Sequence, residues 1–370
     1  MNQNNPLLKI IILAVIFGLG AGVVGQLLTA AYLIPEEIFV FGEASRVRQA
    51  ANQTAENEKI LETERSTSPA VIEIFPQKNS SHDPLNQIYL PLDRVAFGVA
   101  LTSDGWLISY GKNLADPKSH FSIVTSDQKI FSPQKIIFDE ATGTVFIKIE
   151  TQNLAVPKLG AYENLSAGEK VLIPFSKQSF RTMQIADLAH EQINGQNDLL
   201  KSSEKLSKLI LLDGEVAAHE IGAPISNLDG EVTGIISATS PAAAVPINYW
   251  RAAFLSILKM EKVNRPYLGV RYLDLGKSAG ISETFSQGKT NGALIWSGKN
   301  PQISGVTKGS PAAKSGLRDG DIILKINGDE LNQRIDLPEI ISEYSPGDKI
   351  QIAVLRNGEE KIFEATLDAK

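Results

Sequence analysis

A chain of 370 residues, 43% of them hydrophobic, has room for two folded domains and additional segments. Its formal net charge of -6, without a long Lys/Arg run, excludes a general nucleic-acid binder, which needs clustered cations to neutralise phosphates. With no cysteine there is no disulfide framework, thiolate zinc site or cysteine nucleophile; His82, His120, His190 and His219 show no pair at metal-ligand spacing, so no metal or other cofactor is expected.

From Ile10 to Pro35 there is no charged residue, and a helix of that length exceeds the roughly 30 Å hydrocarbon core of a bilayer. The run predicts a single transmembrane signal anchor over 10–35. Lys9 precedes it and Glu36, Glu37 and Glu43 follow, which places residues 1–9 in the cytoplasm and the folded bulk outside. The competing reading is a cleaved signal peptide ending near Thr29-Ala30-Ala31, for which the apolar run is long. Residues 36–66 are polar, with apolar positions that sustain no heptad, and predict a linker or stalk.

From residue 67 to 260 short apolar runs alternate with turns. Strands are expected at Ala70–Phe75, Val95–Leu101, Trp106–Tyr110, Phe121–Thr125, Lys135–Phe138, Val145–Ile149, Lys170–Pro174 and Glu231–Ala238. Close spacing and the turn pairs Asp104-Gly105 and Asp229-Gly230 argue for an all-β barrel or sandwich. A helical pattern over Trp250–Met260 closes this part. Further on, Ser310 as N-cap, Pro311 at the first helical position and Gly316 just past the end bound a short helix. A strand Ile322–Ile326, a helix Leu337–Tyr344 and an alternating strand through Ile350, Ile352 and Val354 follow, with Arg356–Glu359 as a hairpin turn. Lys299–Gly305 reads as a surface insertion.

Four stretches in order, Ser68–Ile72, Gly98–Ser109, Leu159–Leu172 and Pro224–Ile235, resemble the trypsin-like domain of the HtrA membrane-anchored serine proteases. The run from Ser310-Pro311-Ala312-Ala313 through Gly320-Asp321-Ile322-Ile323 to Ile326-Asn327-Gly328 closely resembles a PDZ domain of the same type, covering 265–370. The resemblance implies a mainly β chain: a trypsin-like double barrel, then a PDZ domain.

The resemblance also exposes three departures. The family's general base is a histidine in an Asn-His-Val type motif, and Lys112 occupies that place in Ser109-Tyr110-Gly111-Lys112-Asn113-Leu114. Its orienting aspartate opens an Asp-x-Ala-Val-Leu-Lys-Ile strand, and Gly143 opens the matching stretch Gly143–Ile149. Its nucleophile lies in Gly-Asn-Ser-Gly-Gly-Pro, against which His219-Glu220-Ile221-Gly222-Ala223-Pro224 sets Ile221. Attack by serine needs a hydroxyl, a base to take its proton and a carboxylate to orient that base. All three are missing, and His219 replaces a glycine of the oxyanion-hole loop. The alternatives for an active endopeptidase are a displaced triad, Ser226 with His219 and Asp229, or a Ser109–Lys112 dyad.

In the family's PDZ domains a Tyr-x-Gly-x loop offers backbone amides to a peptide's terminal carboxylate, and Tyr267-Leu268-Gly269-Val270 matches it. The peptide is expected to add as a strand beside Val270–Leu273, with Ile341 and Tyr344 lining the groove. The implied function is an envelope-anchored pseudoprotease that binds peptide or protein C-termini and unfolded envelope proteins in protein quality control. The implied partners also include further copies in a homotrimer, or active relatives in a mixed oligomer.

Overall fold

A computed structural model describes residues 14–15, 17–25, 54–78, 82–116, 118–176, 179–191, 193, 195–298, 304–332 and 335–369. The chain divides into two units, 1–59 and 60–370. In the first, residues 14–15 and 17–25 are helical, and among the described residues no helix is long and apolar enough to cross a membrane. Much of the span expected over 10–35 lies outside them. Residues 54–66 of the stretch read as a linker are helical, and the helix runs on to Thr67; Thr63 and Thr67, in the second unit, are buried.

The second unit opens with β1 (Val71–Pro76), β2 (Ala96–Ala100), β3 (Trp106–Tyr110), β4 (Phe121–Val124), β5 (Ile130–Phe131), β6 (Lys135–Phe138) and β7 (Thr144–Lys148). They form one antiparallel sheet in the order β5-β4-β1-β2-β3-β7-β6. Next come β8 (Lys158–Leu159), β9 (Lys170–Ser176), β10 (Ser179–His190), β11 (Leu200–Ser202), β12 (Leu209–Leu212), β13 (Pro224–Ser226), β14 (Glu231–Thr239) and β15 (Ala242–Pro246). All but β11 build a second sheet, which closes into a barrel because β13 pairs with both β9 and β14. Closure removes the unpaired edges that a sheet otherwise leaves.

Helix Ile247–Met260 seals the junction of the two sheets. Ile247, Trp250, Phe254 and Ile257 recur at helical spacing and are buried against Trp106, Phe146 and Ile235. Phe254 stacks on Phe146 with ring centroids 5.8 Å apart. Glu261 in the left-handed conformation ends the helix.

Strand β16 (Pro266–Tyr267) opens the next part and pairs with the C-terminal β23 (Asp368–Ala369). The main strands of the third sheet are β17 (Arg271–Asp274), β18 (Ala293–Ile295), β19 (Ile322–Ile326), β21 (Lys349–Arg356) and β22 (Glu359–Thr366), with the short β20 (Asp329–Glu330) beside β19. Ser310 Oγ caps helix Pro311–Ser315 by accepting from Ala313 N at 3.2 Å, and Gly316 ends it in the left-handed region, as the sequence predicts. Helix Leu337–Ser342 starts on a capping box: Asp336 accepts from Glu339 N at 3.3 Å, and Glu339 accepts from Asp336 N at 3.2 Å.

Candidate functional site

The positions matched to base and acid lie side by side. Strands β3 and β7 pair with Tyr110 opposite Thr144, so the segments just beyond them meet. Gly111 N donates to Gly143 O at 3.0 Å, and Lys112 follows in an exposed 3-10 turn. Gly143 adopts φ +78°, and a Cβ there would come within 2.9 Å of the Tyr110 ring. Burial pushes the Tyr110 phenol up from its ordinary range. A tyrosine ring therefore covers the place matched to the orienting carboxylate.

Ile221 joins the same neighbourhood through the backbone: Phe97 N of β2 donates to Ile221 O at 2.8 Å. Its half-buried side chain packs against the core of the second barrel. The next residue, Gly222, has φ +80°, and a Cβ on it would collide with Phe97 O and Ser109 Oγ. Only glycine fits there.

Every amide from 220 to 223 is already engaged. Glu220 N donates to Ala217 O at 2.9 Å, Ile221 N to Ala218 O at 3.4 Å, Gly222 N to Ile236 O at 2.9 Å and Ala223 N to Glu220 O at 3.1 Å. The buried Glu220 carboxylate holds this turn from within, accepting from Ala217 N at 2.7 Å and pairing with Arg181. Arg94, also buried, donates to His219 O at 3.3 Å and to Phe175 O at 2.9 Å while it pairs with Glu73. An oxyanion hole needs donors aimed at empty space where charge will develop. These four donors point at carbonyls instead.

Neither alternative constellation assembles. Ser109 is fully buried and donates to Phe97 O at 2.5 Å, whereas Lys112 reaches solvent. Ser226 Oγ is buried without a hydrogen-bond partner among the described residues, whereas Asp229 is exposed on the turn and hydrogen-bonds through its own N to Asn227 Oδ1 at 3.1 Å.

In the PDZ domain, Leu268 and Val270 are buried in the core and Tyr267 is half-buried. Ile341, read from the sequence as a groove position, is 1% exposed and belongs to that core with Leu337 and Ile340. Tyr344 packs partly against it and accepts from Asn327 Nδ2 at 3.1 Å. The edge of β17 expected to take a peptide is instead paired with β11, registered Leu200 with Leu273, Lys201 with Tyr272 and Ser202 with Arg271. Gly269 N donates to Glu204 Oε1 at 2.8 Å, and Val270 N donates to Ser203 Oγ at 3.0 Å. Sequence reasoning passed over Ser203 and Glu204, because no periodicity marks them.

Two trypsin-like β sheets sealed by a helix and followed by a PDZ domain define the class of the chain. The PDZ domain family matches residues 266–367. The chain is 27% identical over 284 residues to a probable periplasmic serine endoprotease DegP-like of Marinomonas sp. (strain MWYL1), covering 74% of this chain and 56% of that protein. It is 28% identical over 283 residues to a protein of the same description from Pseudomonas putida (strain W619), covering 74% and 55%. It thus spans about half the length of the curated relatives it matches. Among solved structures, the HtrA-type protease AlgW with decapeptide shares the fold with a TM-score of 0.63 at 22% identity, over 83% of this chain and 98% of that one. The chain is thus similar in sequence to DegP-like serine endoproteases and shares the fold of an HtrA-type protease, with a C-terminal PDZ domain.

Proposed function

We propose that this chain is an envelope-anchored HtrA-type pseudoprotease that binds peptide C-termini or unfolded proteins through its PDZ domain, as a scaffold or regulator in protein quality control. One observation carries the non-hydrolytic part: the amides of Glu220, Ile221, Gly222 and Ala223 all donate to backbone carbonyls. Four loop amides already bonded to carbonyls, beside an isoleucine in place of the nucleophile, support binding without cleavage. The relatives' description as periplasmic and the uncharged run Ile10–Pro35 support anchoring with the folded domains outside the cytoplasm. Further copies or active relatives are proposed as assembly partners, tested by co-purification at native levels. For the chemistry, the full chain is incubated with unfolded casein and a fluorophosphonate probe. The casein stays intact and the probe adds nothing; degradation that survives Ile221→Ala overturns the reading.

A further inference from the structure

The groove of the PDZ domain is filled by the chain itself. Strand β11 adds antiparallel to the edge of β17, and Ser203 extends the pairing, its N donating to Val270 O at 3.0 Å. The two loop amides that follow, Gly269 N and Val270 N, are taken by the Glu204 carboxylate and the Ser203 hydroxyl. Strand addition and capture of a carboxylate are the two halves of peptide recognition at such an edge. Both halves are supplied here in cis.

The segment is fastened on each side. Lys201 lies between Glu191 at 2.7 Å and Asp274 of β17 at 3.5 Å. Lys208, 2% exposed, reaches Asp336 at 3.8 Å and pairs with Glu339, the two residues of the capping box. Lys201, Ser202 and Ser203 have little strand preference of their own. The edge of β17 and these charges hold the segment extended.

We propose that Leu200–Glu204 is a cis ligand of the PDZ domain. Ser203 stands where a bound peptide's last residue would stand, Glu204 lends the carboxylate, and a partner's C-terminus binds by displacing them. This rests on the peptide-binding reading above. The groove is then competent only in the fraction of molecules that have released the segment, and apparent affinity falls by that fraction. A tethered competitor acts at an effective concentration on the order of mM. The ligand class that wins is a free C-terminus on a small last residue. Its carboxylate offers both oxygens to Gly269 N and Val270 N, where the cis segment meets one of them with a neutral hydroxyl.

A disulfide tests the contact. Arg271 N donates to Gly305 O at 2.7 Å and Arg271 O accepts from Trp296 N at 3.1 Å, so both groups face away from β11. Ser202 and Arg271 therefore form a closely spaced, non-hydrogen-bonded pair. In a chain without cysteine, Ser202→Cys with Arg271→Cys adds the only two thiols. The probe is a fluorescent octapeptide copying residues 196–203 and ending in a free carboxylate, titrated into the full chain by anisotropy. The disulfide forms on mild oxidation, the locked chain does not bind, and dithiothreitol restores binding. Glu204→Ala, without the cysteines, binds at least tenfold tighter than the natural chain, and the amidated octapeptide binds to neither. Failure of the disulfide to form, or equal binding by locked and reduced chains, overturns the proposal. An array of unrelated free C-termini separates the two readings. If the disulfide forms but no tail binds Glu204→Ala, peptide binding and its displacement both fall, and the cis segment is only a fastening between domains.

Discussion

Arg265 grips Asp139 with two parallel bonds, Nε to Oδ1 at 3.0 Å and Nη2 to Oδ2 at 2.6 Å, tying the entrance of the PDZ domain to the first sheet. Asp139 is 1% exposed and also accepts from Thr142 Oγ1 at 2.7 Å, while Arg265 Nη2 reaches Tyr249 O at 2.6 Å. Removing the arginine leaves a buried carboxylate uncompensated, which typically costs about 3–5 kcal/mol. Arg265→Ala should lower the urea unfolding free energy by about 3 kcal/mol, and Arg265→Lys should recover little, because an ammonium lacks the planar fork. A loss below about 0.5 kcal/mol in Arg265→Ala would show that the pair does not hold the domains.

The capping box of helix Leu337–Ser342 predicts a pH dependence. Burial, and then the neighbouring Glu339 carboxylate, push Asp336 up to about 6, against the pull of Lys208, Lys201 and Lys277. The folded state then holds a proton between about pH 4 and 6 that the unfolded chain has already released. Stability drawn from this group therefore falls as pH rises through that window. Asp336→Asn keeps a good cap and removes the titration. The unfolding free energy of the natural chain minus that of Asp336→Asn should decline by on the order of 1–3 kcal/mol from pH 4 to pH 6. A flat or rising difference would refute the assignment.

Strands with apolar runs and glycine turns were legible in the sequence, as was the helix between Ser310 and Gly316, because local chemistry alone defines them. Strand β10 was not: Ser179–His190 buries only Met183 and Ile185, and its polar alternate residues resemble loop. Strand β15 escaped because Ala242-Ala243-Ala244 offers little side chain to read, although all three are buried between neighbours. Ile341 illustrates a different limit. Its spacing on the helix places it facing the domain, but not whether that face is groove or core. Strand β11 exists only because β17 offers an edge, and Lys208 is buried only because Asp336 and Glu339 lie opposite. Such contacts are tertiary and leave no local pattern.

Gly222 should be the least replaceable residue of the altered loop. An alanine methyl would overlap Phe97 O and Ser109 Oγ, in a backbone conformation that L-residues avoid. Gly222→Ala should cost on the order of 3 kcal/mol or yield insoluble protein, whereas Ile221→Ala, at a half-buried site, should stay soluble with a smaller loss. Thermal unfolding of both variants checks the order; reversal would mean the loop is looser than its hydrogen bonds suggest.

Restoring the three letters of the triad should not restore the enzyme. In a well-studied serine protease, loss of the nucleophile or the base alone costs about 10⁶ in turnover, because the triad acts as a unit, so Ile221→Ser by itself should give no measurable hydrolysis. The triple change Lys112→His, Gly143→Asp, Ile221→Ser supplies all the groups but meets two obstacles. An aspartate at 143 must accept φ +78° and a Cβ 2.9 Å from the Tyr110 ring, so its carboxylate cannot settle without moving that side chain. The new serine would also find the amides of 220–223 bonded to Ala217, Ala218, Ile236 and Glu220 carbonyls, so that its own amide is not free to meet an oxyanion. Turnover of a fluorogenic peptide library and fluorophosphonate labelling should both stay at background for the single and triple variants. Labelling of the triple variant at its introduced serine would show that the loop rearranges to free its amides.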